Sequence, residues 1–190
     1  MPLTLAELRW PRTTERLLIR PAVPDDHSRV FAYRSDVSVG HWIARWTTDP
    51  EEHREQFSAP ERLGRTLVYE LGGRVVGDLM LAQSDAWSQV EVAAGAAGAE
   101  VELGWTIDPA YAGRGLATEA VRELMAACFD DLGVHRVTAH CFAENRASWR
   151  LMERVGMRRE SEGRRDALHR SRGWLDSYGY AILAEEWRAR

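Results

Sequence analysis

The chain switches repeatedly between a hydrophobic pattern that alternates every second residue and one that returns every three or four residues. The first pattern is typical of β-strands and the second of helices. Strands are predicted at residues 14–22, 66–71, 74–81, 100–108, 135–142, 157–165 and 174–183. Helices are predicted at residues 25–34, 49–57, 118–132 and 147–156. This alternation indicates a single mixed α/β domain over residues 1–190.

Glycine pairs and irregular segments divide the pattern. Gly72 and Gly73 separate two apolar runs, which predicts a tight β-hairpin. Residues 35–48 and 83–99 show neither period clearly, so we expect loops there.

The strand predicted at 100–108 alternates most cleanly. One face carries Val101, Leu103, Trp105 and Ile107, and the other carries Glu102, Gly104, Thr106 and Asp108. A glycine-rich turn at residues 108–120, DPAYAGRGLATEA, follows it and opens the next helix. Gly113 and Gly115 would let backbone amides converge there, and the helix dipole would add to them. This predicts a site for a pyrophosphate-sized anion, or else an ordinary tight turn.

Two familiar phosphate loops do not fit this turn. A nucleotide phosphate loop needs a lysine after its last glycine, but Leu116 follows Gly115. The dinucleotide fingerprint needs a third glycine where this chain has Thr118.

The amino-acid composition excludes several classes of function. The 190 residues are 45% hydrophobic and 28% charged with a net charge of −4, which argues against broad nucleic-acid binding. All 25 basic residues are arginine, which excludes a Schiff-base or phosphate-loop lysine. Cys128 and Cys141 lack metal-site spacing, and we expect core packing for both and no bound metal. No membrane span or signal peptide is evident, so we expect a cytoplasmic protein.

Five segments in order resemble the GNAT superfamily of N-acetyltransferases, and most of all its RimJ/RimL branch. They are TERLLIRP, GGRVVGD, ELGWTIDPAYAGRGLATEA, ENRASWRLMERVGM and DSYGYAILAEEW. The resemblance implies a twisted, mostly antiparallel sheet of six or seven strands flanked by about four helices. It implies acetyl-CoA as cosubstrate and an amine acceptor, either a protein N-terminus or a small molecule, with a non-catalytic acyl-CoA-binding module as the rival. Either a monomer or a homodimer is compatible with it.

The resemblance also implies where acetyl-CoA binds. Its pantetheine arm would lie in a gap between strands 100–108 and 135–142, against the backbone of Thr106, Ile107 and Asp108. The backbone amides of the loop would hold the pyrophosphate. These are the amides of Gly113, Arg114, Gly115, Leu116, Ala117 and Thr118. Asn145 would cap its helix and contact the pantetheine or the diphosphate. Ala112 departs from the family, which usually has Gln or Arg at that position.

The catalytic groups are expected beside this gap. Glu102 is the candidate base, acting through a water, or else it is a solvated strand residue. The amide of Ile107, at an expected β-bulge, would polarise the thioester carbonyl. The tyrosine that many GNAT enzymes use falls on Met152 here. The RimJ/RimL-like pattern instead implies a serine three residues after the helix-opening Asn145, so Ser148 is the candidate acid, or else a helix serine bonded to the carbonyl four residues back.

Four further residues are candidates for the acceptor pocket: Trp42, Trp46, Asp176 and Tyr178. An acidic and aromatic lining would suit a cationic amine. Arg172 could pair with Asp176 and cancel its field.

Overall fold

A computed structural model describes residues 8–190. The first seven residues, on which the predicted lack of a signal peptide partly depends, lie outside the described residues. Among residues 8–190, none of the helices is long and apolar enough to cross a bilayer.

The described strands form one mixed sheet. They are β1 (Arg12–Thr13), β2 (Leu17–Pro21), β3 (Thr66–Leu71), β4 (Arg74–Ser84), β5 (Glu100–Ile107), β6 (Arg136–Phe142), β7 (Arg158–His169) and β8 (Gly173–Leu183). Their order is β1-β2-β3-β4-β5-β6-β8-β7, and only β5 and β6 pair in parallel. The mixed α/β class is confirmed. The eighth strand, β1, was not predicted because two residues are too few to show alternation.

Eight α-helices occur in the described part of the chain, against about four expected. They are α1 (His27–Arg34), α2 (Val37–Gly40), α3 (Pro50–Ser58), α4 (Pro60–Leu63), α5 (Ala93–Ala96), α6 (Leu116–Ala126), α7 (Arg146–Arg154) and α8 (Ala184–Arg188). The additional helices are single turns of four or five residues, too short to produce a visible period. Helix α6 continues into a π-helical turn at Ala127–Asp131, within the predicted 118–132 helix.

The predicted hairpin forms, and the last two predicted strands pair as a second hairpin, in which β7 is longer than expected. Gly72 and Gly73 have φ of +58° and +79°, the left-handed pair that a tight hairpin turn requires. Strand β7 runs to His169 instead of ending near residue 165. Its register with β8 shifts between Gly163 and Ala167, and this irregularity hides the strand in the sequence pattern.

The sheet separates two hydrophobic clusters. Val68 and Tyr69 are neighbours in β3 and fully buried, yet they belong to different clusters. Val68 packs with residues of α1 and α3, while Tyr69 belongs with residues of α6 and α7. Because adjacent strand residues point to opposite faces, α1 and α3 cover one face of the sheet and α6 and α7 cover the other.

A buried ion pair ties α1 to the sheet. The Asp78 side chain on β4 is 2% exposed and accepts hydrogen bonds from Arg34 Nε at 3.0 Å and Nη2 at 2.5 Å. The Tyr33 hydroxyl donates to the same carboxylate at 2.8 Å. Arg34 Nη2 also donates to Thr106 Oγ1 at 2.9 Å, so one guanidinium joins α1, β4 and β5.

Removing the Asp78 carboxylate would leave Arg34 buried without its counter-ion. We expect Asp78→Ala to lower the free energy of unfolding by about 3–5 kcal/mol, measured by urea denaturation. Glu51→Ala is the control, because its carboxylate pairs with Arg54 on the exposed surface of α3 and its loss should leave the midpoint nearly unchanged. Equal losses in the two variants would contradict the structural role of the buried pair.

Candidate active site

The site begins where two central strands separate. Strands β5 and β6 share three residue pairs, from Glu100 opposite Arg136 to Glu102 opposite Thr138. Beyond them, β5 continues against β4 to Ile107 and β6 continues against β8 to Phe142. The strands therefore open a gap in the middle of the sheet, at the place where the sequence resemblance put the pantetheine arm.

This gap widens into a cleft with a volume of about 1390 Å³. Its walls come from β5, from the turn before α6, from β6 with the start of α7, and from the segment between α1 and β3. Ligand sites of small molecules are usually smaller than 1,000 Å³, so this cleft has room for more than one reactant.

The glycine-rich turn has the conformation of an anion site. Gly113 and Gly115 have φ of +74° and +77°, and α6 begins directly at Leu116. The first amides of a helix have no carbonyl partner within it, and they carry the positive end of the helix dipole. Leu116, Ala117 and Thr118 form that first turn and line the cleft with Gly113 and Gly115.

Side chains from outside the turn hold it in place. Arg16 Nη1 donates to the Arg114 carbonyl at 3.0 Å, and Arg16 Nε donates to Glu119 Oε2 at 2.7 Å. Thr14 Oγ1 donates to the other Glu119 oxygen at 2.6 Å. The turn is therefore braced before any ligand binds, with Arg114 itself absent from the lining side chains.

The backbone of β5 is less free than expected. The Thr106 carbonyl accepts a hydrogen bond from the Tyr69 hydroxyl at 2.7 Å, and the Asp108 amide donates to the Val76 carbonyl at 2.9 Å. The Asp108 side chain accepts from the Ala110 amide at 2.9 Å and pairs with Arg29. These groups have partners within the fold, so the expectation that the whole stretch is open to pantetheine is corrected.

The β-bulge expected near Ile107 is also corrected. All eight pairs between β4 and β5, from Gly77 opposite Ile107 to Ser84 opposite Glu100, keep one register. A bulge needs an extra residue on one strand, and here eight residues face eight. The register shift lies one strand away, between Tyr69 and Glu70 of β3.

Glu102 lies at the opening of the gap and has a partner that sequence reasoning missed. His140 Nδ1 on β6 donates to Glu102 Oε1 at 3.4 Å, and both residues line the cleft. This hydrogen bond lowers the pKa of Glu102, with partial burial opposing it. The same hydrogen bond raises the pKa of His140. Thr138 of β6 lies opposite Glu102, and His140 follows Thr138 by two residues on the same face of the strand. The sequence alone does not predict this contact, because the register between the two strands is set by the tertiary fold.

The start of α7 brings three candidate groups together. Asn145 caps the helix, with its Oδ1 accepting from the Ser148 amide at 3.3 Å. Ser148 lies near Cys141 on β6, and its hydroxyl favours the thiolate and so lowers the pKa of that thiol. Burial nevertheless raises the pKa of Cys141 to about 11. All three residues line the cleft, so Cys141 is only partly a core residue, whereas Cys128 is fully buried.

Of the four acceptor candidates, Trp42 and Trp46 line the cleft and Asp176 and Tyr178 do not. The Asp176 carboxylate accepts from the Arg165 amide at 2.8 Å, where β7 is irregular. Tyr178 lies under the Arg159 guanidinium, 3.9 Å from the ring centroid. The structure therefore does not bring these two residues into the cleft with Trp42 and Trp46.

Arg172 does not pair with Asp176 as expected. It instead donates to Glu144, at 2.6 and 3.0 Å.

In residues 8–190, no cluster of three or more His, Cys, Asp or Glu side chains is arranged to hold a metal ion.

Comparison with known proteins identifies the class. Residues 16–158 match the family described as Acetyltransferase (GNAT) domain. The chain is 31% identical over 191 residues to the uncharacterized N-acetyltransferase YnaD of Bacillus subtilis, covering 92% of this chain and 98% of that protein. The crystal structure of a GNAT-family acetyltransferase from Bacillus anthracis superposes with a TM-score of 0.78 at 31% identity, covering 93% of this chain and 100% of the other.

A further solved structure shows the same fold. RimL, a ribosomal L7/L12 alpha-N-protein acetyltransferase in complex with coenzyme A, superposes with a TM-score of 0.75 at 15% identity, over 92% of this chain and 98% of RimL. The family match covers three quarters of the chain, so the chain belongs to the GNAT acetyltransferase family.

The turn before α6 makes a specific prediction about cosubstrate binding. Valine at position 115 would strain a backbone with φ of +77° and put bulk among the first amides of α6, so we expect Gly115→Val to weaken acetyl-CoA binding at least tenfold in calorimetry. Gly73→Val is the matched control, because Gly73 has φ of +79° and open space around it but lies in the β3–β4 hairpin and does not line the cleft. Unchanged affinity in Gly115→Val, or an equal loss in both variants, would overturn the assignment of this loop.

Proposed function

We propose that this GNAT acetyltransferase transfers the acetyl group of acetyl-CoA to a primary amine, in the first instance the α-amine of a protein N-terminus. The observation that carries the proposal is one continuous cleft that joins the turn before α6 to the Glu102–His140 pair. The family membership supports the acetyl donor, and the likeness to RimL supports the type of acceptor.

Acetyl-CoA would be held at two places. The free amides from Gly113 to Thr118 suit the pyrophosphate, because they combine hydrogen-bond donors with the positive end of a helix dipole. The pantetheine arm would lie between β5 and β6 and bring the thioester towards Glu102 and Ser148. Asn145 at the start of α7 would contact the arm beside Ser148.

Amide formation needs a neutral amine and a polarised carbonyl. The amine nitrogen attacks the thioester carbon, and Glu102 accepts the amine proton through a water. An α-amine has a pKa near ~8 and a lysine amine near ~10.4, so an N-terminal acceptor demands less of this base. The Ile107 amide would polarise the carbonyl oxygen without the help of a bulge.

The tetrahedral intermediate collapses when the C–S bond breaks. The Ser148 hydroxyl is the candidate donor of a proton to the departing thiolate, and its place among the residues that line the cleft supports this role. A thiolate with an ordinary pKa of ~8.5 leaves with little assistance, so this group contributes less than the base. Met152 at the position of the missing tyrosine is fully buried.

A small amine is the second candidate acceptor. The observation that favours it is a row of arginines on the cleft wall between α1 and β3, a place where a compact charged molecule would be held. A module that binds acyl-CoA without turnover is the remaining alternative.

A panel of amines separates these possibilities. Purified protein with acetyl-CoA is offered N-terminal peptides, free amino acids, polyamines and aminoglycosides, and released CoA is measured with a thiol reagent. Turnover with peptides bearing a free N-terminus supports the first candidate, and turnover with small amines alone supports the second. Acetyl-CoA binding without turnover on any amine supports the binding module.

The role of Glu102 gives a prediction with an internal pH test. We expect Glu102→Gln to lower kcat by about 10- to 100-fold at pH 7, with acetyl-CoA affinity nearly unchanged. The loss should shrink as the pH rises towards the amine pKa near ~8, because a neutral amine needs no base. Steady-state kinetics between pH 6.5 and 9 would measure this.

Glu100→Gln is the matched control. Glu100 lies two residues earlier on the same face of β5, but it pairs with Arg136 and is not among the lining side chains. If Glu102→Gln keeps the wild-type kcat at pH 7, Glu102 is not the base and is only a solvated residue of the strand.

A further inference from the structure

One wall of the cleft has an excess of positive charge. The wall formed by residues 34–65 carries four arginines that line the cleft, Arg34, Arg45, Arg62 and Arg65. We refer to these four residues as the arginine wall. Two lining carboxylates, Asp78 and Glu61, form ion pairs with arginines of this wall, so the wall and these partners have a net charge of +2. Arg154, Glu102 and Asp166 also line the cleft, so its whole lining has a net charge of +1 when the histidines are neutral.

The four arginines differ in how closely a carboxylate pairs with each of them. Arg34 takes both oxygens of Asp78. Arg65 Nη2 lies 3.6 Å from Glu61, whose side chain is 87% exposed, and exposed pairs of this kind hold weakly. Among residues 8–190, Arg45 and Arg62 have no carboxylate within 4 Å. Arg62 is therefore a partly buried cation that shares the more distant charge of Asp78 with Arg34 and has no contact ion pair of its own in the described part of the chain.

Two donor atoms of the same wall have no hydrogen-bond partner among the described residues. They are the indole Nε1 of Trp46 and the Nε of the Arg65 guanidinium, and both are buried. The Trp46 indole lies against Gly40, so its Nε1 would reach a ligand only after the side chain moved. A buried donor without a partner costs free energy in this state.

The titration of neighbouring groups keeps this charge in place at neutral pH. Burial, and then repulsion from Arg34, lowers the pKa of Arg62 to about 10, so Arg62 stays protonated. Burial also lowers the pKa of His53 to about 4, so His53 is neutral. The positive field of the wall is therefore that of its guanidiniums. Arg34 fixes the wall to β5 through Thr106, beside the stretch where the thioester is expected.

We propose that the arginine wall binds a carboxylate of the acceptor, so that the preferred acceptor is an amine that also bears a carboxylate group. This inference rests on the proposed function and names its substrate class. The planar guanidinium fork matches the two oxygens of a carboxylate. The inference reverses the cationic acceptor suggested by the sequence, because Asp176 lies outside the cleft.

The carboxylate has two possible sources, and paired acceptors distinguish them. The first pair is a free amino acid and its carboxamide. The second pair is the dipeptide amides Ala-Asp-NH₂ and Ala-Asn-NH₂, which place a carboxylate next to a peptide N-terminus. A carboxylate raises the pKa of a nearby amine, so at pH 7.5 the acidic member of each pair has less neutral amine. A preference for it therefore cannot come from intrinsic reactivity.

We expect the wild type to favour the acidic member of at least one pair by about tenfold or more in kcat/KM. Arg62→Gln should remove this preference by raising KM for the acidic member, while kcat/KM for the neutral member stays within about twofold. Arg54→Gln is the matched control, because Arg54 is an exposed arginine of α3 that does not line the cleft. It should keep the preference of the wild type.

Two results would overturn the inference. One is equal or better use of the neutral member in both pairs, and the other is a preference that survives in Arg62→Gln. A binding measurement separates this failure from failure of the proposed function. Calorimetry of CoA-loaded protein should show tighter binding of an acetylated acid than of its acetylated amide even if no amine is turned over. Equal binding of the two, or binding of neither, contradicts the arginine wall as a carboxylate site.

Discussion

The separation of β5 from β6 is the constraint on which the rest of the site depends. Inside a sheet, a strand edge without a partner leaves amides and carbonyls that must be bonded by something else. Here three residue pairs, beginning at Glu100 opposite Arg136, join β5 to β6. Beyond these pairs, β5 continues beside β4 and β6 continues beside β8, so the two strands separate. A ligand with amide groups of its own, such as a pantetheine arm, is suited to fill such a gap. The turn before α6 and the start of α7 both open onto it.

Arginine side chains hold the elements around this gap. Arg34 joins α1, β4 and β5, while Arg16 braces the glycine turn through Glu119 and the Arg114 carbonyl. A guanidinium has five donors in a fixed fork, so one side chain can bridge several elements in a way that an ammonium group cannot. In a chain without lysine, this structural use of arginine is widespread. Arg62 lines the cleft and only shares the more distant charge of Asp78, so it differs from Arg16 and Arg34 in being able to pair with an acidic ligand.

Local signals in the sequence were sufficient for most of the fold. The hairpin at Gly72 and Gly73, the alternation of β5 and the glycine turn that opens α6 all follow from periods or backbone demands within about fifteen residues. The contact between Glu102 and His140 does not, because it depends on the register of two parallel strands 38 residues apart. Asp176 was misplaced for a similar reason. Its position depends on an irregularity of β7 that no alternation in the sequence reveals.

The charges of the cleft also affect how strong a base is needed to deprotonate the acceptor amine. The hydrogen bond from His140 lowers the pKa of Glu102, which makes this carboxylate a poorer proton acceptor than an isolated glutamate. An acceptor amine that binds beside the arginine wall would be surrounded by positive charge, and positive neighbours favour the neutral form of an amine. The carboxylate of the acceptor would offset the repulsion that such a wall exerts on a cation as it approaches. Binding and deprotonation would then be separate tasks, with the arginines recognising the acid and lowering the amine pKa, and Glu102 needing only to accept, through a water, a proton that the amine loses readily.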